Sequence, residues 1–324
     1  MRCGIIRPPG CCLLREHWNR AINGSLLLHP WSGQWADAGK GGESRIAIRG
    51  HKLSSRFIDG EGNFWIGGNY GGGNGNGLTV PIPKPKDLTL ADRQVLKLSP
   101  QGDKVLLEIG HPSAAPANNQ DTSILGAPAE VFVDDAAHEV YIADGYMNRR
   151  VVVYDSNTGA FKRGWGGHGI PLNEISNDPQ PPFDPAGPPR KDFTLPVHCI
   201  HISTDGLVYV CNRGGDSIQV FTKKGQFVKE FFLPRMTAKG GTRVFELAFS
   251  ADPKQKYLFD ADGTNNIVWI LNRDDGKIVG SVGHFGRYAG QLHFIDGIAI
   301  DSKGNLYTGE VGTGKRVQKF VLQK

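Results

Sequence analysis

The stretch EVFVDDAAHEVYIAD, Glu130–Asp144, decides the fold. Val131, Phe132 and Val133 stand between two acids over its first five positions, a polar turn follows, and a second run rich in Val, Tyr and Ile closes it. That is a half-buried strand, a tight turn and a more fully buried strand. The same grammar recurs in RFIDGEGNFWIGG (Arg56–Gly68), HCIHISTDGLVYVCN (His198–Asn212), ELAFSADPKQKYLFDAD (Glu246–Asp262) and DGIAIDSKGNLYTGE (Asp296–Glu310). A polar link and a third strand follow each unit: QVLKLSP (94–100), RVVVYD (150–155), SIQVFTK (217–223), NIVWILNR (266–273) and RVQKFVL (316–322). Four units continue to a fourth strand, at 104–110, 160–166, 226–232 and 277–283.

Five repeats of three or four antiparallel strands predict an all-β propeller, because a lone meander cannot cover both of its faces and neighbouring blades must stack. The fifth unit lacks a fourth strand of its own, so a segment nearer the N-terminus is expected to supply it, with Arg45–Arg49 (RIAIR) as the candidate. A sixth, degenerate blade built partly from residues before 56 is favoured. Residues 45–324 therefore read as a single propeller domain. Residues 1–44 carry no clear pattern and read as a poorly ordered or non-native start.

Composition agrees. The 324 residues include 44 Gly, near twice the usual share of about 7%, without the triplet period of collagen. No run approaches the roughly 18 apolar residues of a membrane span. The net charge of +5 is concentrated at the start: residues 1–50 hold 7 Lys/Arg against 3 Asp/Glu, and the body is near neutral. No nucleic-acid footprint is expected there. The apolar runs near the N-terminus are too short for a signal peptide. Cys199 and Cys211 fall on two strands of one hairpin and could face each other, but two small buried hydrophobes is the reading favoured. No GxSxG, HExxH, P-loop or dinucleotide fingerprint occurs. The turn residues Asp59, Asp205, Asp262 and Asp301 suit the ordinary task of bonding turn backbone. Long links at 67–91, 111–127 and 167–192 are candidates for shaping one mouth of the ring.

At these repeats the sequence resembles NHL-repeat propellers, and more narrowly the bacterial relatives of peptidyl-α-hydroxyglycine α-amidating lyase. The carrying residues are Ala143-Asp144-Gly145-Tyr146-Met147-Asn148-Arg149-Arg150, Pro196-Val197-His198, Asn212-Arg213, Ile218–Phe221 and Asp301–Tyr307. The resemblance covers about residues 56–324. It implies a central zinc held by three His, a bracing calcium, and a catalytic Tyr with two Arg. Carried over position by position, it makes His198 a zinc ligand, Tyr146 the catalytic Tyr and Arg213 one active-site Arg. Ser54 and Asp296 stand where the family has its other two His, and Asp296 can still ligate. Glu246, His51 and His293 are the candidates to complete the shell. His201, three residues on, is assigned by strand alternation to the opposite face from His198. Arg149 and Arg150 read as structural.

His198, Tyr146, Arg213 and Asp296 are thus expected to converge on one axial pocket for a small-molecule or peptide ligand. The resemblance also implies a secreted or periplasmic location. Three classes stay open: a metal-assisted lyase or hydrolase, a catalytically degenerate propeller that binds a protein or small ligand, and a calcium-dependent lactonase-type propeller, for which no ligand set matches.

Overall fold

The computed structural model describes residues 53–68, 93–181, 184, 187–234, 243–312 and 314–323, together with the backbone of the short strands Arg2–Gly4, Leu26–Leu28 and Trp35–Asp37. Blade one is formed by Leu53–Ile58, Phe64–Gly68, Gln94–Leu98 and Val105–Gly110. Blade two holds Glu130–Asp134, Glu139–Asp144, Arg150–Asp155 and Phe161–Trp165. Blade three holds Val197–Ile202, Leu207–Asn212, Ser217–Thr222 and Phe227–Phe232. Blade four holds Val244–Phe249, Tyr257–Asp262, Ile267–Asn272 and Ile278–Val282. Blade five holds Ile295–Ile300, Leu306–Glu310 and Val317–Val321, completed by Arg2–Gly4.

Every sheet is an antiparallel meander, and the inner strands of successive blades lie beside one another from blade one to blade five. The five repeats are therefore five blades of a β-propeller. The sixth blade favoured from the sequence is corrected: five four-stranded sheets form among the described residues. The fourth strand of the last blade comes from Arg2–Gly4, whose register sets Cys3 opposite Phe320. Arg45–Arg49, the strand expected there, lies outside the described residues.

Alternation explains the core. Within Glu139–Asp144 all six residues are buried. Val140 and Ile142 pack towards blade one, with Trp65 and Val95. Tyr141 and Ala143 face blade three, against Val197, Ile200 and Phe221. A strand buried on both faces by its neighbours is what a stacked blade requires. Equivalent clusters fill the seams between blades three and four and between blades four and five. The turn acids divide. Asp59 Oδ1 accepts from the backbone N–H groups of Glu61 and Asn63, and Asp301 does the same for Lys303 and Asn305. Asp205 instead accepts a two-pronged bond from Arg273 of the next blade, and Asp262 accepts from Asn265 and Trp269.

One irregularity bears on function. The register of the inner strand slips against the second strand near its start in blades one, three, four and five, between Leu53/Ser55, Val197/Ile200, Val244/Glu246 and Ile295/Gly297. Such a bulge inserts a residue and re-aims the side chains that follow. In blade three it also brings Cys199 and Cys211 together. They form a disulfide with Cα atoms 4.8 Å apart, in place of the two free buried cysteines favoured from the sequence.

Candidate active site

The segment after the second strand of blade two is built by Asp144. Its carboxylate is fully buried and accepts from Gly126 N (2.5 Å), Asn148 Nδ2 (2.9 Å) and Arg150 Nε (2.8 Å). A buried carboxylate holds its charge only when paired and hydrogen-bonded in this way. Arg150 is spent in this scaffold and also donates to the Asn119 and Ile124 carbonyls, while Arg149 donates to the Ser176 and Asp178 carbonyls. Both are buried, on neither a solvated face nor an inter-blade strand-to-strand salt bridge. Gly145 then passes so close to blade three that a Cβ would stand 1.8 Å from the Val197 carbonyl oxygen. Its own carbonyl accepts from Val197 N at 3.1 Å. The Asp-Gly-Tyr order therefore has a physical reason: Asp144 fixes the turn, Gly145 allows contact, and Tyr146 is delivered over blade three.

There the Tyr146 hydroxyl lies 3.0 Å from His198 Nε2, and the rings meet edge to face. His198 Nδ1 is 2.6 Å from the Phe245 carbonyl oxygen. Only a protonated Nδ1 can donate to a carbonyl, so the neutral ring carries its lone pair on Nε2. Burial lowers the His198 pKa, and the Arg213 charge lowers it further, against the opposing pull of Asp296. The ring is neutral near pH 7. Asp296 Oδ1 stands 4.0 Å from the same Nε2. Arg213 lies flat on Phe245, its guanidinium carbon 3.7 Å from the ring centre, and donates to the Tyr146 hydroxyl. Burial lowers its pKa, opposed by Tyr146 and Asp296. Its Nε is buried with no hydrogen-bond acceptor among the described residues.

The four residues expected to converge do so: His198, Tyr146, Arg213 and Asp296 form one quartet. Phe245, the platform under Arg213, carried no sequence signal. Of the three candidates for completing the shell, Glu246 bonds His201 instead, with Oε1 2.6 Å from His201 Nε2. The His293 ring stacks at a tilt on Phe285. His51 and the Ser54 side chain lie outside the described residues. His201 was expected on the far face, but the bulge between Val197 and Ile200 breaks the alternation between it and His198, and both rings meet the inner strand of blade four. The long loops at 111–127 and 167–192 jointly line a cleft, with Asn119, Asn177, Gln180 and Met147 in its wall and none of the quartet residues among its lining.

A cation of zinc type takes nitrogen and oxygen ligands at about 2.0–2.2 Å and, at a catalytic centre, three protein ligands. His198 Nε2 and Asp296 Oδ1 stand 4.0 Å apart, and the Nε2 lone pair already accepts the Tyr146 hydroxyl. They supply at most two ligands of the three among the described side chains.

No protein-family model matches the sequence. The chain is 28% identical over 275 residues to peptidyl-glycine alpha-amidating monooxygenase B of Xenopus laevis, covering 82% of this chain and 26% of that protein. It is 25% identical over 278 residues to the mouse (Mus musculus) peptidyl-glycine alpha-amidating monooxygenase, covering 84% of this chain and 23% of the relative. The chain thus spans about a quarter of the length of these relatives. A catalytically inactive virginiamycin B lyase from Staphylococcus aureus, solved with quinupristin, superposes with a TM-score of 0.51 at 13% identity, covering 87% of this chain and 74% of that one. That likeness concerns the fold alone. The protein is a β-propeller of five four-stranded blades, similar along most of its length to peptidyl-glycine alpha-amidating monooxygenases.

Proposed function

We propose that the quartet is the active site of a peptidylglycine lyase-like enzyme, cleaving the N–Cα bond of a peptide that ends in α-hydroxyglycine. The observation that carries this reading is the buried Arg213 Nε with no acceptor, beside a tyrosine hydroxyl that is itself held by a neutral histidine. A buried donor left without a partner costs about 1–3 kcal/mol, and a substrate carboxylate or carbonyl oxygen would satisfy it. Tyr146 takes the proton of the substrate hydroxyl while its own phenolic proton passes to the His198 Nε2 lone pair. The Arg213 charge next to the phenolic oxygen lowers the cost of moving protons there. The electron pair left on the hydroxyl oxygen forms a carbonyl, the C–N bond breaks, and the leaving amide nitrogen takes a proton from Tyr146, which recovers its own from His198. The products are a peptide amide and glyoxylate.

The test is a peptide ending in α-hydroxyglycine, with glyoxylate release followed in wild type and in Tyr146→Phe. Turnover by the wild type that drops at least about 100-fold in the variant supports the reading. A folded wild type that binds the peptide without turnover makes the chain a binding platform instead.

A further inference from the structure

Three residues below His198 on the same strand, a second constellation joins blades two, three and four. Glu130 opens the inner strand of blade two, His201 lies on that of blade three, and Glu246 on that of blade four. His201 Nε2 stands 2.6 Å from Glu246 Oε1 and 3.6 Å from Glu130 Oε2. One ligand atom from each, with Cys199 Sγ, lies within 4.8 Å of the others.

We propose that Glu130, His201 and Glu246 form a second divalent-cation site, distinct from the quartet, for an ion of the zinc or manganese class. Three arguments converge. Around a tetrahedral ion, ligand atoms at about 2.1 Å stand roughly 3.4 Å apart, and the two observed separations from Nε2 bracket that spacing. Two carboxylates so close around one imidazole concentrate negative charge on one spot, which favours a cation there. An imidazole with two carboxylates is a donor set that suits zinc and manganese.

The supports of a metal centre are also in place. Glu130 Oε2 accepts from Ile200 N at 2.6 Å, and Glu246 Oε1 accepts from Leu247 N at 2.9 Å, so both carboxylates are aimed by backbone. The Phe132 ring meets the imidazole edge to face. The side chains keep 16–25% of their surface exposed, which leaves room for water as a further ligand. Cys199 contributes no thiolate, because it is bonded to Cys211. A cation here would tie three consecutive inner strands across the axis of the ring.

The probes are Zn²⁺ and Mn²⁺, offered to the full chain after chelator stripping, with bound metal counted by elemental analysis and affinity read by titration calorimetry. Wild type, His198→Ala, and His198→Ala carrying His201→Ala or Glu246→Gln are compared, each checked for fold by circular dichroism. One equivalent bound by His198→Ala, in which the quartet can hold no ion, and weakened at least about 100-fold when His201→Ala or Glu246→Gln is added to it, is the expected result. A His198→Ala protein that binds neither ion overturns the proposal, as does binding in it that survives the added His201→Ala or Glu246→Gln unchanged. Should either of those variants fail to fold, the Mn²⁺ electron-spin-echo spectrum of the other proteins decides. An imidazole nitrogen coupling that persists in His198→Ala supports the site, and its disappearance there overturns it. Turnover plays no part in these readouts, so loss of the lyase reading leaves this one standing, and the reverse.

Discussion

His198 and His201 sit three residues apart on one strand and live in opposite electrostatic surroundings. His198 faces a guanidinium and a tyrosine hydroxyl, and burial with the Arg213 charge holds its pKa down. His201 faces two carboxylates. Burial alone would hold it down too, but Glu130 and Glu246 overcome that and raise it to about 9. Burial and the nearby Glu246 in turn push the Glu130 carboxyl well above the ordinary carboxylate range. One strand thus carries a lone-pair donor and a proton holder side by side, and the difference comes from neighbouring blades, not from the strand. In a propeller the chemistry of an inner-strand residue is set by what the adjoining blades lean against it.

The sharpest break between the two regions is in turnover. Tyr146→Phe removes the hydroxyl while keeping the ring that rests on His198. On the lyase reading, glyoxylate release falls by about 10²–10⁴-fold. His201→Gln, in the lower triad, leaves turnover within about threefold in assays without added metal. Equal losses in both variants would merge the two regions into a single site.

Next comes the scaffold that separates them. Asp144→Ala leaves Arg150 buried without its carboxylate and frees Gly126 N and Asn148, so stability drops by about 3–5 kcal/mol. Denaturant unfolding checks the size. In the population still folded, activity should fall with it, because Asp144 sets the turn that delivers Tyr146, whereas cation binding at Glu130, His201 and Glu246 should persist.

The sequence disclosed these regions unequally. The quartet was legible through the family resemblance, carried by the Asp-Gly-Tyr, Val-His and Asn-Arg segments, each local in sequence, with Asp296 placed by its position in the last repeat. The triad was not, because its members come from three blades and its central residue was assigned by alternation. A single bulge between Val197 and Ile200 undoes that assignment. The same bulge hid the Cys199–Cys211 bond. Blade number was misread because repeats can be counted in sequence, whereas the strand that completes the last blade, Arg2–Gly4, carries no repeat pattern at all. Phe245 gave no signal, since a cation–π platform looks like any other core phenylalanine.

The histidine contrast also has a pH signature. For the metal-free protein, a His whose pKa rises from about 6.5 unfolded to about 9 folded adds stability that is complete below pH 6.5 and lost as pH climbs through 9. The loss is on the order of 2–3 kcal/mol. The raised Glu130 pKa acts in the same direction. Unfolding midpoints should therefore decline from pH 6.5 to 9 in wild type and flatten in His201→Gln. His198 gives no such decline, because its folded pKa lies below the unfolded one. A wild-type profile that is level across this range would remove the contrast.

The smallest effect tests the two glycines that flank site residues. Gly145 precedes Tyr146 and has no room for a Cβ, so Gly145→Ala must push blade two off Val197. Gly297 follows Asp296, and a Cβ there meets nothing within 4 Å. Its backbone φ lies outside the left-handed region, so alanine fits without strain. Alanine also gives up less chain entropy on folding than glycine does, which stabilises by about 0.4–1 kcal/mol. Gly297→Ala should accordingly raise the unfolding midpoint slightly and leave the position of Asp296 unchanged. If the quartet takes its ligand from the Tyr146 and Arg213 side, turnover stays within about twofold. A clear rise in KM with kcat unchanged would instead place the ligand over blade five, in the open space beside Gly297, and would shift the binding surface away from the cleft lined by Asn119 and Asn177.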